Sequence, residues 1–393
     1  MTSTPFRLSA GWPARRAVSR RWALASLAIG ALLALPLAVV AGHLFLPGGE
    51  AWSHLSATVL PDYLRATALL LVAVLAGVTI VGIACAWLVA ACDFPGRKVF
   101  EWALLLPLAM PAYVMAYAYT DLLQFSGPVQ TLMRATMGWG PNDFRLPEIR
   151  SLGGAALMFT FALYPYVYLL ARVAFIEQSA SLVEAGRTLG LSPWASFLRV
   201  SLPLARPAIA AGAALALMET LADFGTVSYF GVQTFTTGIF RAWLSMGEPA
   251  SAAKLSMILL AFVALVLALE RGLRRGARFE QSPTTAARKR WRLRGVASFA
   301  AFAACATALF AGFALPGAHL ASLSLSQSHA WGPRFASLVI NTTLLATMTA
   351  LIAVALALTL AYGARISRSR LANLVNRAAG LGYAVPGDRK SVV

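Results

Sequence analysis

Runs of about 20 or more apolar residues recur along the chain, separated by short polar or basic stretches, and a run of that length crosses a bilayer as a helix. They predict membrane helices near 22–46, 65–91, 102–122, 151–171, 208–229, 254–270, 295–316 and 336–364, with a ninth beginning near 373. The runs are too long and continuous for the alternating strands of a barrel, and in lipid the backbone must satisfy its own hydrogen bonds. The expected fold class is therefore all-α, a polytopic membrane protein. The first run exceeds the roughly 7–15-residue core of a cleaved signal peptide, so it reads as a retained helix.

Two stretches break the apolar pattern. Glu184–Pro203, EAGRTLGLSPWASFLRVSLP, is a polar insert between the fourth and fifth spans. Ser181 with Glu184 three residues on fits a capping box. Gly190 fits the end of that helix, and Ser192-Pro193 the start of a second. On the second helix Trp194, Phe197 and Leu198 share a face, and Leu202-Pro203 is expected to stop it before the next span. The other stretch, Arg271–Arg294, is basic, holds Gly and Pro, and shows no apolar periodicity. It reads as a linker between domains.

After that linker the pattern restarts. Thr342–Pro386 aligns with Thr67–Pro111 at a constant shift of 275, with Thr67/Thr342, Ala86/Ala361 and Pro111/Pro386 among the identities. The expected organisation is a first unit of six helices over 1–270, a linker over 271–294, and a second, incomplete unit over 295–387. The ending Asp388–Val393 is abruptly polar where an apolar helix should continue, and is expected to be a non-native tail on a truncated chain.

Composition agrees with the pattern: 59% of residues are hydrophobic, 12% charged, and the mean hydropathy is +0.70. The net charge of +18 could suggest a nucleic-acid partner. Its placement argues otherwise, because 24 of the 33 Lys and Arg lie in loops on the N-terminal side and only 7 on the opposite side. That asymmetry puts the N-terminus in the cytoplasm, with the lipid bilayer rather than nucleic acid as the surrounding partner. Cys85, Cys92 and Cys305 have neither metal-ligand spacing nor a disulfide pattern, and no two of the four His stand at i, i+4.

Three features carry chemistry. The first is the frame within the polar insert: Glu184, Ala185, Gly190, Val200, Leu202 and Pro203, with Gly186 in the place of a second alanine. This frame resembles the EAA loop of ABC-importer permeases. The second is an absence: no Gly-x4-Gly-Lys-Ser/Thr stretch occurs to cradle ATP phosphates. The third is METLADFGTVSY, residues 218–229, where Glu219 and Asp223 interrupt an apolar span at a four-residue spacing that sets them on one helix face. A carboxylate in mid-membrane turns inward to protein or water. These two can hydrogen-bond neighbouring helices, line a pathway with Tyr229, or offer hard oxygen ligands to a cation.

The resemblance implies an ABC-importer-type helical bundle and a transport subunit with no catalytic residue and no cofactor of its own. Residues 184–203 would dock on a separate ATPase present in two copies, which binds ATP and Mg. A periplasmic substrate-binding protein would deliver the cargo at a bacterial inner membrane. Residues 219–243 and the Tyr164-Pro165-Tyr166-Val167-Tyr168 run are similar to those of ferric-iron permeases, in which two halves are fused in one chain. Importers of thiamine, phosphonate or polyamine share the EAA loop. An ATP-independent secondary transporter, which would rely on Glu219 and Asp223 for a coupling ion, is the rival reading.

Overall fold

The computed structural model describes residues 12–43, 45, 50–140, 143, 146–178, 188, 190–274, 290–326 and 332–367. Among them six helices are long and apolar enough to cross a membrane, and one further pair, bent sharply at a short break, passes the same test only when taken together. The all-α expectation holds, the only strands among the described residues being two of two residues each.

One compact unit contains the described residues from 50 to 326. It begins with α2 (Glu50–His54) and a π-turn that runs directly into α3 (Leu60–Ala91). Pro61 stands in the first turn of α3, where its missing N–H costs nothing, and Asp62 complements the helix dipole there. The span expected at 102–122 is not straight. It divides into α4 (Arg97–Ala103), a 3-10 turn at Leu106–Ala109, and α5 (Ala112–Leu123), which α6 (Pro128–Met137) follows. The two arms meet at 92°. Pro107 and Pro111 lack the N–H groups that would continue the ladder, so the helix breaks between them.

At the centre lies α7 (Leu152–Glu177), capped by Ser151, whose hydroxyl accepts the Gly154 N–H at 3.2 Å. It packs on α3, α5 and α9 (Leu202–Ala222). Close approach is set by small residues. A Cβ on Gly212 would stand 2.7 Å from Val167 Cα and 2.8 Å from Tyr166 O, so only glycine fits there. The unit continues through α10 (Gly225–Tyr229), α11 (Phe235–Phe240) and α12 (Pro249–Arg274).

The helices α13 (Val296–Leu309) and α14 (Leu315–Ser326), joined by a π-turn, form one apolar span. Sequence assigns this span to the second unit, yet it docks on the bundle of the first. Gly312 lies against Phe161 O and Pro107, with no room for a Cβ. Tyr119 donates to Ala311 O, and His319 Nε2 meets Asp121 Oδ2 at 2.7 Å. Cys85 and Cys305 are buried in this same core, all three cysteines being free thiols.

The other compact unit contains α1 (Trp12–His43) and α15 (Pro333–Ser367). They pack together, with the Trp22 and Tyr362 rings edge-to-face at 5.0 Å. Shifted by 275, the bounds of α3 become 335–366, within two residues of α15 at each end. The region of the ninth expected helix and the tail 388–393 lie outside the described residues.

Candidate functional site

The polar insert between the fourth and fifth spans meets the bundle at the end where α3 and α7 finish. Glu184, Ala185 and Gly186 lie outside the described residues. Thr188 is helical, and Gly190 follows with φ +79°, exposed and with open space around its Cα. That left-handed conformation is the one expected of a glycine just past a helix end.

A new helix then starts, as its sequence predicts. Ser192 Oγ accepts the Ala195 N–H at 3.2 Å and caps α8 (Pro193–Ser196). The expected stop at Leu202-Pro203 does not occur. The chain passes through a π-turn at Phe197–Ser201 straight into α9, giving one helix from Trp194 to Ala222. The wider turn shifts the hydrogen-bond register, so Pro203 falls within the first turn of α9, where its missing N–H leaves no gap.

The face expected to carry Trp194, Phe197 and Leu198 is split between two tasks. Phe197 is buried, its ring 4.6 Å from Trp87 at the end of α3 and 6.2 Å from Phe175 at the end of α7. Trp87 and Phe175 are themselves edge-to-face at 5.5 Å. Trp194 is 64% exposed and Leu198 44%. Gln178 adds a polar tie, its Nε2 donating to Ser201 O at 2.8 Å. An aromatic knot therefore seats the helix, while Trp194, Leu198 and Arg199 face outward.

A second brace holds the ends of α3, α4 and α7 together. Glu101 on α4 pairs with Arg172 on α7 and, at 3.4 Å, with Arg97. The Arg97 guanidinium also donates to Val89 O, and Tyr168 Oη donates to the Glu101 carbonyl at 3.0 Å. Sequence reasoning missed Trp87, Phe175, Glu101 and Arg172, because each gains its role from a partner on another helix. The only local signal was an acid and two bases at the ends of apolar runs.

The intramembrane constellation differs from expectation. The helix carrying Glu219 ends at Ala222, and Asp223 leaves the helical region with ψ 128°. Its carboxylate accepts the N–H of Thr226 at 2.7 Å and of Val227 at 3.4 Å, together with the Thr226 hydroxyl. Asp223 thus caps the start of α10 and is not stacked one turn above Glu219 on a continuous helix. Short polar side chains compete for the backbone in this way wherever a helix can be interrupted. Glu219 is half-buried within α9. Tyr229, at the end of α10, packs its ring 6.4 Å from Tyr117 and 4.8 Å beneath the Arg150 guanidinium. Among the described residues no group of three or more His, Cys, Asp or Glu could hold a metal ion. A cleft of about 330 Å³ lies beside Phe224, and its lining includes Ser228, Gln233, Arg241 and Ser245 and no carboxylate.

Comparison with known proteins places these elements in context. Residues 10–275 match the family described as binding-protein-dependent transport system inner membrane component. The chain is 31% identical over 206 residues to the Fe(3+)-transport system permease protein FbpB 2 of Haemophilus influenzae, a match covering 52% of this chain and 36% of that relative. It is 29% identical over 203 residues to the molybdenum transport system permease protein ModB of Escherichia coli, covering 50% of this chain and 86% of the relative. The sulfate transport system permease protein CysT of the same organism is 27% identical over 194 residues, covering 48% and 67%. The chain thus spans about a third of the length of the iron permease that it matches. A solved bacterial alginate ABC transporter, in complex with an alginate pentasaccharide-bound periplasmic protein, has the same fold at 16% identity. The TM-score is 0.53, over 66% of this chain and 96% of that one.

Proposed function

The chain belongs to the family of inner membrane components of binding-protein-dependent transport systems, and from that premise we propose that it couples ATP hydrolysis on a partner subunit to the import of ferric iron. The observation that carries the coupling is the seated helix at 193–201, with Trp194 and Leu198 outward and Phe197 locked between α3 and α7. A rigid helix with an exposed apolar ridge fits a groove on an ATPase, and its firm seat transmits displacement to the bundle. Glu184, Ala185 and Gly186 would extend that contact, while Gly190 sets the turn and Leu202 and Pro203 carry the helix into the membrane. ATP and Mg belong to the partner, which is present twice, and a periplasmic protein delivers the cargo. Closure of the two ATPases then switches the bundle between inward- and outward-open forms. The charge asymmetry orients the N-terminus and the 193–201 helix toward the cytoplasm.

Support for iron is the match to the FbpB 2 permease and the similarity of residues 219–243 to that group. A second reading, a tetrahedral oxyanion, draws on the match over 86% of ModB and on the cleft beside Arg241, whose lining has a cation and hydroxyls but no carboxylate. The test is ATP-dependent uptake into proteoliposomes containing the protein, its ATPase and its binding protein, with radiolabelled ferric iron and molybdate compared. Iron uptake exceeding molybdate uptake supports the first reading, and the reverse supports the second. Uptake of either ion without ATP contradicts the coupling. In the same assay Glu219→Gln is expected to lower uptake per folded protein, as a pathway-lining carboxylate requires. Unchanged uptake assigns Glu219 a structural hydrogen bond instead.

A further inference from the structure

The stretch 271–294 reads from sequence as a linker without apolar periodicity, but its last five residues depart from that expectation. Residues 290–294 read Arg-Trp-Arg-Leu-Arg, with Arg290, Arg292 and Arg294 exposed while Trp291 and Leu293 turn inward onto the core. This period-two alternation is that of a strand. Trp291–Arg292 forms β2, which pairs in parallel with β1 (Cys92–Asp93) after α3, and the Leu293 N–H donates to Asp93 O at 3.1 Å. The pairing of Trp291 and Arg292, with the Leu293 N–H bond, leaves Arg290, Arg292 and Arg294 on the exposed side of this short extended segment. Gly295 follows, and the membrane span Val296–Ser326 begins at the next residue.

We infer that Arg290, Arg292 and Arg294 form a docking site for the phosphate groups of anionic phospholipid headgroups. Three observations support it. The site immediately precedes Val296–Ser326, a helix long and apolar enough to cross a membrane, whose ends meet the headgroup layer when it spans. A cleft of about 400 Å³ opens there, lined by Asp93, Phe94, Pro95, Arg292, Leu293 and Arg294. The local charge is strongly positive: Lys98 is also exposed, Asp93 is the single acid of the cleft, and its carboxylate is 3.9 Å from Arg292. Arg97 and Glu101 do not contribute, being paired with each other. Guanidinium forks bind phosphate oxygens in pairs, and a fixed row of them discriminates an anionic headgroup from a zwitterionic one. Loose basic loops follow membrane orientation in general, whereas here the backbone around Arg292 is anchored by its pairing with Cys92–Asp93.

The site is tested on the full purified chain, delipidated in detergent and offered equal amounts of phosphatidylglycerol and phosphatidylcholine, with bound lipid counted by native mass spectrometry. The wild-type protein should retain phosphatidylglycerol at least about tenfold over phosphatidylcholine. R290Q/R292Q/R294Q should lower that preference at least about tenfold with an unchanged elution profile, since each basic residue near an anionic surface contributes to binding. The matching lysine triple should keep most of it, and D93N should raise it. If the glutamine triple does not fold, R292Q and R294Q alone, both at exposed positions, should each lower the preference several-fold. Equal retention of the two lipids by the wild-type protein overturns the inference, as does an unchanged preference in the variants. Displacement of the lipid by millimolar inorganic phosphate overturns it in favour of a soluble phosphate. A triple variant that keeps its lipid but loses its ATPase assigns the row to a protein partner and overturns it as well.

Discussion

Helices α7 and α15 are both long apolar spans, and the less hydrophobic of the two is the one that is buried. Among the described residues, 61% of the apolar window in α7 is buried, against 6% in the more apolar α15. In water the order would be reversed. In a bilayer hydropathy measures only how well a helix tolerates hydrocarbon, whichever molecule supplies it. What marks α7 as core is its surface chemistry: Gly154, Ala155, Ala156, Ala162 and Ala171 allow close approach, while Phe159, Tyr164 and Tyr168 fill the gaps. Its neighbours answer with small residues of their own, such as Gly212. On α15 the leucines at 338, 344, 345, 351 and 358 face outward.

The sharpest way to break this contrast is to place one added side chain on each surface. Gly212→Leu drives a branched side chain into the α7 backbone, at a cost beyond the roughly 1–3 kcal/mol of ordinary overpacking because backbone must move. Folded yield by fluorescence-detected size exclusion should collapse. Ala346→Leu on the exposed face of α15 should leave the same profile unchanged. If both variants fold alike, the buried and exposed assignments are wrong.

A smaller effect is expected at the edge of the buried region. Phe197→Ala removes the ring that locks the 193–201 helix to Trp87 and Phe175, a loss of about 3 kcal/mol. The bundle should still fold, but amide exchange should accelerate between residues 191 and 201. Protection equal to wild type there would show that the aromatic knot does not hold the helix. The smallest effect belongs to Leu345→Ala, at an exposed position on α15. Its change in thermal unfolding should correspond to less than about 0.5 kcal/mol. A larger loss would place Leu345 in a packed interface.

Much of this architecture was legible in the apolar runs, because a bilayer allows few alternatives to a helix of about 20 residues. The Ser192 cap and the Gly190 turn were legible for the same kind of local reason. The break at Pro107–Pro111 carried its signal in the two prolines, which a hydropathy count alone smooths over. The end of α9 at Ala222 was hidden, because Asp223 can either continue a helix or cap the next one, and Thr226 decides the matter. Packing was least legible. Docking of α13 and α14 on the first bundle depends on Gly312 meeting Phe161 and Tyr119 meeting Ala311, pairs some 150 to 190 residues apart. The second face of the 193–201 helix was hidden similarly: a stripe of Trp194, Phe197 and Leu198 cannot reveal that only Phe197 has aromatic partners waiting on other helices.

The central claim is that the 193–201 helix is held on one side so that its other side can engage an ATPase. Its most direct test is the affinity of the purified ATPase for the Trp194→Ala/Leu198→Ala protein in nanodiscs, with Phe197 and the rest of the knot intact. If Trp194 and Leu198 form the proposed docking ridge, their removal should weaken association by at least about 30-fold, with folded yield as in the wild type and only a small fall in thermal unfolding, since the Trp194 ring also rests 5.3 Å from Phe197. Undiminished ATPase affinity in that variant would contradict the account.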